Sequence, residues 1–197
     1  YWQEMGVDGF RADMAHLIPP EFWKWLIHRA RQRDPDVFFF AEAYDDDPAK
    51  VPSRDPALRA DDGVMVSLLD AGFAAVYDDP GYDTLEHLYA GKAWANDLDR
   101  AEASLGPFFF DCAVRYAENH DEIRLANPAT WGGAGAEVGR AVAGALFGLS
   151  RGPVMVYNGQ MVGEKGEGAE GFGGADARTT IFDYWSMPAF NDWWNGA

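Results

Sequence analysis

Gly6-Val7-Asp8-Gly9-Phe10-Arg11-Ala12-Asp13 is the stretch whose reading decides the fold. It reads as a short apolar-flanked β-strand that delivers an arginine and a carboxylate at its end. Two later stretches repeat the plan. Val37-Phe38-Phe39-Phe40-Ala41 runs into Glu42, and Ala113-Val114-Arg115-Tyr116-Ala117 runs into Glu118-Asn119-His120-Asp121. Three strands that each end in an acid are hard to explain by packing alone. They predict carboxylates gathered at one rim of a parallel sheet or barrel, where loops leave strands that fix their roots.

Working outward, short apolar strands alternate with amphipathic helices. The strand Val7 to Arg11 is followed by Pro19-Pro20-Glu21. Prolines suit the first turn of a helix, because the N–H they lack would be unpaired there anyway. Phe22, Trp25, Leu26 and Arg29 recur at helical spacing to about Arg33, Asp34-Pro35-Asp36 breaks that helix, and the strand ending at Glu42 follows. Asp45-Asp46-Asp47-Pro48 through Asp61-Asp62 reads as a polar surface excursion; its aspartate triplet lacks the alternating ligands and glycine of a calcium loop. A short helix is predicted at Val64 to Leu69, a strand at Gly72 to Tyr77, and a long helix or two joined pieces from Thr84 to about Ser104. A strand from Phe108 to Ala117 and a helix from about Glu137 to Leu149 come next, the helix closed by Ser150-Arg151-Gly152. A buried strand at Pro153 to Tyr157 then enters the glycine-rich loop Asn158 to Gly174. Such alternation is the pattern of parallel α/β structure.

Composition bounds what the acids can mean. With 197 residues, 48% of them hydrophobic, the chain has enough apolar material for one sizeable core, which argues against disorder. Its formal charge of −16 sets the average surface against nucleic acid and anionic membranes, and leaves a neutral ligand free to bind. Eight Trp, eight Tyr and thirteen Phe exceed the usual needs of such a core; flat aromatic faces suit stacking on sugar rings or other ligands, while a plain core role covers most of them. Cys112 is the only cysteine, so the sequence holds neither an intrachain disulfide nor a cysteine-based metal site, and the compartment stays open. Tyr1-Trp2-Gln3-Glu4-Met5-Gly6 reads as the last turn of a helix closed by glycine, with no initiator Met and no signal or anchor pattern before it. The expectation is a fragment of a longer domain.

Two carboxyl groups held together can divide labour. One stays ionised as a nucleophile while the other keeps a proton near neutral pH, which is the division that retaining glycoside cleavage requires. Arg11, two residues before Asp13, projects to the same side of the strand and can orient that carboxylate.

These residues carry a family resemblance. Gly9-Phe10-Arg11-Ala12-Asp13-Met14-Ala15-His16 resembles the fourth-strand signature of the α-amylase family of glycoside hydrolases. Ala41-Glu42-Ala43-Tyr44 resembles its fifth-strand acid motif, and Asn119-His120-Asp121 its seventh-strand motif. Pro153 to Gly159 with Gln160 resembles the eighth strand, and Thr179-Thr180-Ile181-Phe182-Asp183-Tyr184-Trp185 a segment after it. Singly each motif is common; in this order they are specific and cover nearly the whole chain. The resemblance implies an α/β fold, the C-terminal part of a (β/α)8 TIM barrel with its N-terminal strands missing, residues 1–197 forming one partial catalytic domain. It implies Asp13 as nucleophile, Glu42 as general acid/base and Asp121 as the carboxylate that binds the sugar hydroxyls at the cleavage subsite. Arg11 orients Asp13, His120 donates to the same sugar, and His16 stands where a lysine often contacts the next sugars. Tyr44 and Trp131 are candidates either for stacking platforms or for packing. The implied partner is an α-glucan or oligosaccharide, with no nucleic acid and no membrane. No cofactor is required, no metal ligand falls among these residues, and a structural calcium ion is allowed in the full-length protein.

Plainer roles stand beside these: a helix N-cap for Asp13, a solvent-facing rim position for Glu42, and ion-pair or surface roles for Glu118 and Glu122. The favoured activity is hydrolysis of α-glucosidic bonds in starch- or glycogen-like glucans. The alternatives are a transglycosylase or sucrose- or trehalose-acting enzyme on the same scaffold, and a non-catalytic binding relative. A partial barrel exposes sheet edges, so the expectation for the isolated piece is poor folding and no activity until the missing part is restored.

Overall fold

The computed structural model describes residues 1–43, 64–98, 111–166 and 187–196. Tyr44, the excursion from Asp45 to Asp62, the segment Thr179 to Trp185 and part of the glycine-rich loop lie outside the described residues. The chain divides into two compact units.

The first unit, Tyr1–Tyr77 with Phe108–Val114 and Arg151–Pro153, is built on a four-stranded parallel sheet. Its strands β1 (Gly9–Ala12), β2 (Phe38–Ala41), β3 (Ala75–Tyr77) and β4 (Ala113–Val114) lie side by side in sequence order. Gly9 is set against Phe38, where a Cβ would come within 2.7 Å of the Phe38 carbonyl oxygen, so glycine permits the close pairing. Helix α1 (Pro20–Arg31) starts with a proline in its first turn, as its sequence predicts, and α2 (Val64–Ala71) is buried almost throughout. On β2 the side chains alternate: Phe38 is exposed, while Phe39 and Ala41 are buried. Trp23 of α1 meets Phe73 edge-on at 5.1 Å, and Phe73 meets Phe39 at 6.2 Å. With Ile27, Met65 and Leu68 these rings fill the core, each buried aliphatic contributing about 1.5–3 kcal/mol.

The second unit, Asp78–Pro107 with Arg115–Ser150 and Val154–Ala197, carries α3 (Asp79–Tyr89), α4 (Val138–Leu149) and α5 (Pro188–Trp194). Helix α4 has the predicted span and buries Val138, Val142 and Leu146 along one stripe. Helix α3 departs from expectation by starting at Asp79 rather than near Thr84. Asp78 caps it, its side chain accepting from the Gly81 amide at 3.1 Å, and Pro80 stands in the first turn. A Cβ at Gly81 would lie 2.3 Å from the Asp78 carboxylate, so the cap depends on glycine there.

Two strand expectations shrink. Pro153 to Tyr157 does not form a strand; Val154 makes a single parallel bridge with Arg115, and Met155 donates to the Arg115 carbonyl at 2.8 Å. The described part of the predicted Phe108 to Ala117 strand keeps only Ala113–Val114 as ladder; Asp111 and Cys112 before it are helical, and Arg115 after it makes only the isolated bridge with Val154.

Candidate active site

In the first unit, register brings the acids of the first two motifs together. Ala12 pairs with Ala41, and the Glu42 amide donates to the Ala12 carbonyl at 3.0 Å, so the chain leaving β1 runs beside the chain leaving β2. Arg11 joins the two acids. Its Nη1 contacts Asp13 Oδ1 at 2.5 Å and its Nη2 lies 2.7 Å from Glu42 Oε1. Asp13 is 73% exposed and Glu42 only 3%, with Arg11 between them at 27%. Burial works against the Arg11 charge, but the hydrogen bond to Asp13 and the charge of Glu42 outweigh it and push the guanidinium up.

The turn after Asp13 completes the arrangement. Met14 takes a left-handed conformation (φ 43°, ψ 43°), which costs a non-glycine residue about 1–2 kcal/mol. That conformation aims the Met14 amide at Glu42 Oε2, 2.7 Å away, and the Ala15 amide donates to the Glu42 carbonyl at 2.9 Å. Both carboxylate oxygens of Glu42 therefore face donors. His16 follows in a short 3-10 turn, Ala15–Leu17; it is buried, and its Nδ1 has no hydrogen-bond partner among the described residues.

In the second unit the segment Glu118 to Leu125 carries the third motif without regular secondary structure. Asn119 Oδ1 accepts from the amides of Asp121 at 2.8 Å and Glu122 at 2.9 Å, which folds the chain into a turn. His120 Nε2 lies 3.1 Å from Asp121 Oδ2, and both side chains are partly exposed. Glu118 and Arg124 are completely buried and paired at 2.9 Å. Burial pushes the Glu118 carboxyl up, against the pull of Arg124 and of the Leu125 amide. A second buried pair, Arg115 with Asp78 at 3.0 Å, ties the bridge to the cap of α3.

The structure thus gathers Arg11, Asp13 and Glu42 in one cluster and His120 with Asp121 in another, each within its own unit. His16 is buried, and Tyr44 lies outside the described residues. Trp131 resolves its two readings as packing: it is 1% exposed, against Tyr82 at 5.8 Å and Tyr89 at 6.0 Å. Sequence reasoning missed the Met14 amide and the partners of Glu118 and Asp78. A buried Glu or Asp and the Arg that satisfies it carry no fixed spacing by which to find them. Among the described residues no three His, Cys, Asp or Glu side chains gather in a way that could hold a metal ion, and no helix is long and apolar enough to cross a membrane. A cavity of about 570 Å³ in the second unit is lined by Glu118, Leu125, Arg140, Phe147, Val156 and Glu164 among others, but by neither His120 nor Asp121.

No protein-family model matches the chain. Among characterised proteins, α-amylase MalA of Haloarcula japonica is 29% identical over 167 residues, 84% of this chain and 21% of that protein. The α-1,4-glucan:maltose-1-phosphate maltosyltransferase of Mycolicibacterium smegmatis is 46% identical over 44 residues, 22% of this chain and 6% of that enzyme. Among solved structures, the cyclic α-maltosyl-(1→6)-maltose hydrolase of Arthrobacter globiformis in complex with maltose superposes with a TM-score of 0.64 at 20% identity, over 97% of this chain and 40% of that one. An α-amylase of Lactobacillus plantarum gives 0.64 at 22% identity, over 91% and 42%. The chain spans less than half the length of each of these relatives. The α/β fold with its parallel sheet matches α-amylase catalytic domains, and in sequence and in fold the chain resembles the α-amylase family of glycoside hydrolases.

Proposed function

We propose that this chain is the strand-four to strand-eight portion of a catalytic (β/α)8 barrel, and that the longer protein cleaves α-glucosidic bonds of starch- or glycogen-like α-glucans with retention. The observation that carries the reading is the single guanidinium of Arg11 joining Asp13 and Glu42 at the ends of adjacent parallel strands. One exposed and one buried carboxylate within reach of one cation are the two unlike acids that retaining cleavage uses.

In the first step Asp13 attacks the anomeric carbon and the glycosidic C–O bond breaks. Glu42 gives its proton to the leaving oxygen. In the second step water attacks the glycosyl-enzyme, its proton passes to Glu42, and the bond to Asp13 breaks. Asp121 and His120 are the groups proposed to hold sugar hydroxyls, and Tyr44 the one proposed to contact a neighbouring sugar; His16, buried after the Met14 turn, takes no part in these contacts. The reaction uses no cofactor, and a structural calcium ion is proposed only for the longer protein. The substrate is a neutral α-glucan, in keeping with the acidic surface; nucleic acid and membrane are not partners.

Hydrolysis of maltooligosaccharides by the full-length protein, followed by proton NMR of the first product, tests the reading. The newly formed reducing end should be the α-anomer, and a β-anomer would overturn it. A second reading, transfer to a sugar acceptor, draws on the maltosyltransferase relatives. Elongated products appearing only with added acceptor would select it. Absence of any turnover would select a non-catalytic binding role.

A further inference from the structure

We infer that Glu118 and Arg124 are positioning residues that set the place of Asp121 and His120, an inference that rests on the proposed role of those two residues. The segment between them has no ladder or helix to shape it. Its two ends are closed on each other instead. Glu118 Oε1 accepts from Arg124 Nη1 at 2.9 Å, and Glu118 Oε2 accepts from the Leu125 amide at 2.5 Å, so one carboxylate at the start of the segment binds two residues at its end. Arg124 carries the closure further into the unit. Its Nη1 donates to the Asn158 carbonyl at 2.7 Å, and its guanidinium lies 4.3 Å over the Tyr157 ring. Inside the closed segment Asn119, itself buried, turns the chain by accepting from the Asp121 and Glu122 amides.

The burial gradient gives the segment two layers. Glu118, Asn119 and Arg124 are sealed at 0%, 2% and 0% exposure, while His120 and Asp121 stay accessible. A buried ion pair is a poor source of net stability beside an apolar replacement, so specifying one geometry is the better account of its presence. The pair cannot be altered conservatively. Glutamine at position 118 has one acceptor oxygen for two donors, and its NH2 would then face either the guanidinium or the Leu125 amide. Lysine at position 124 keeps the charge but loses the planar fork and the stacking on Tyr157.

Two variants, Arg124→Lys and Glu118→Gln, test the inference in the full-length protein with two readouts. Amide hydrogen exchange at Asp121 and Glu122 should rise on the order of tenfold while α4 keeps its protection, as expected for a local opening. Unchanged exchange at those two amides in both variants would overturn the inference, as would a uniform rise across the unit, which marks a merely structural role. The second readout is a double-mutant cycle on kcat/KM. Arg124→Lys should lower it on the order of tenfold to a hundredfold beside Asp121, and have almost no further effect beside Asp121→Asn. Equal losses on both backgrounds would overturn it. If no glucan is turned over at all, the proposed function fails while the exchange result still judges the clamp.

Discussion

Asp13 and Glu42 are placed by a backbone ladder, whereas Asp121 and His120 are placed by side chains. In the first unit the Ala12 to Ala41 register and the Glu42 amide bond bring the strand ends together, and Arg11 and the Met14 amide finish the alignment. In the second unit the segment holding His120 and Asp121 is shaped by the Glu118, Asn119 and Arg124 side chains. A ladder is cooperative and tolerant, because many equivalent backbone bonds define it. A side-chain clamp concentrates the same task in two or three groups, so single substitutions there should reach the site over a distance.

The contrast can be broken or sharpened by measurement. The largest effect is expected for Asp13→Asn in the full-length protein, which removes the proposed nucleophile and should lower kcat at least a thousandfold in initial-rate assays on maltooligosaccharides. Activity within tenfold of the unaltered protein would rule out Asp13 as the nucleophile and leave it only as the ion-pair partner of Arg11. Next comes Arg11→Lys. An ammonium cannot span both carboxylates as the fork does, so kcat should fall on the order of a hundredfold with little change in melting temperature. A large drop in thermal stability instead would make Arg11 a structural ion-pair residue. Trp131→Ala should act the other way round, costing about 3–5 kcal/mol of stability by denaturant unfolding with KM unchanged. A raised KM with full stability would restore Trp131 as a stacking platform.

The smallest effect concerns pH. Burial pushes the Asp78 carboxyl up, outweighing the pull of Arg115 and the Gly81 amide. A carboxyl raised in the folded state binds its proton there before the unfolded chain does. Its contribution therefore favours the native state at low pH and is lost as pH rises from about the ordinary value of 3.8 through the raised one. Asp78→Asn should remove that slope from the stability curve, and equal slopes for both proteins would contradict this account.

Much of the first unit was legible because its signals are local. Pro19-Pro20 announced α1, and a strand ending in Arg11-x-Asp13 needed only a period of two to place both groups on one side. Helix α3 starts five residues before Thr84, because Asp78 caps it just ahead of a first-turn proline, which is itself a local start signal. The strand at Pro153 to Tyr157 failed for a different reason. Its apolar run fits a ladder, but a strand exists only where a partner chain lies alongside, and only Val154 finds one among the described residues. His16 illustrates the remaining gap, since its position in the motif names a sugar contact while its burial depends on how the turn after Met14 packs.

The amino-acid sequence by itself determined the alternation of strand and helix, the order of the acids and the arginine beside Asp13, because periodicity, caps and neighbouring residues act over a few positions. Only the tertiary structure decided that Arg11 joins Asp13 to Glu42, that Glu118 closes on Arg124 and that Trp131 is core. Those facts depend on strand register and burial. Register comes from pairing strands distant in the chain, and burial comes from the exclusion of water by the packed unit, which fixes even near neighbours such as Glu118 and Arg124.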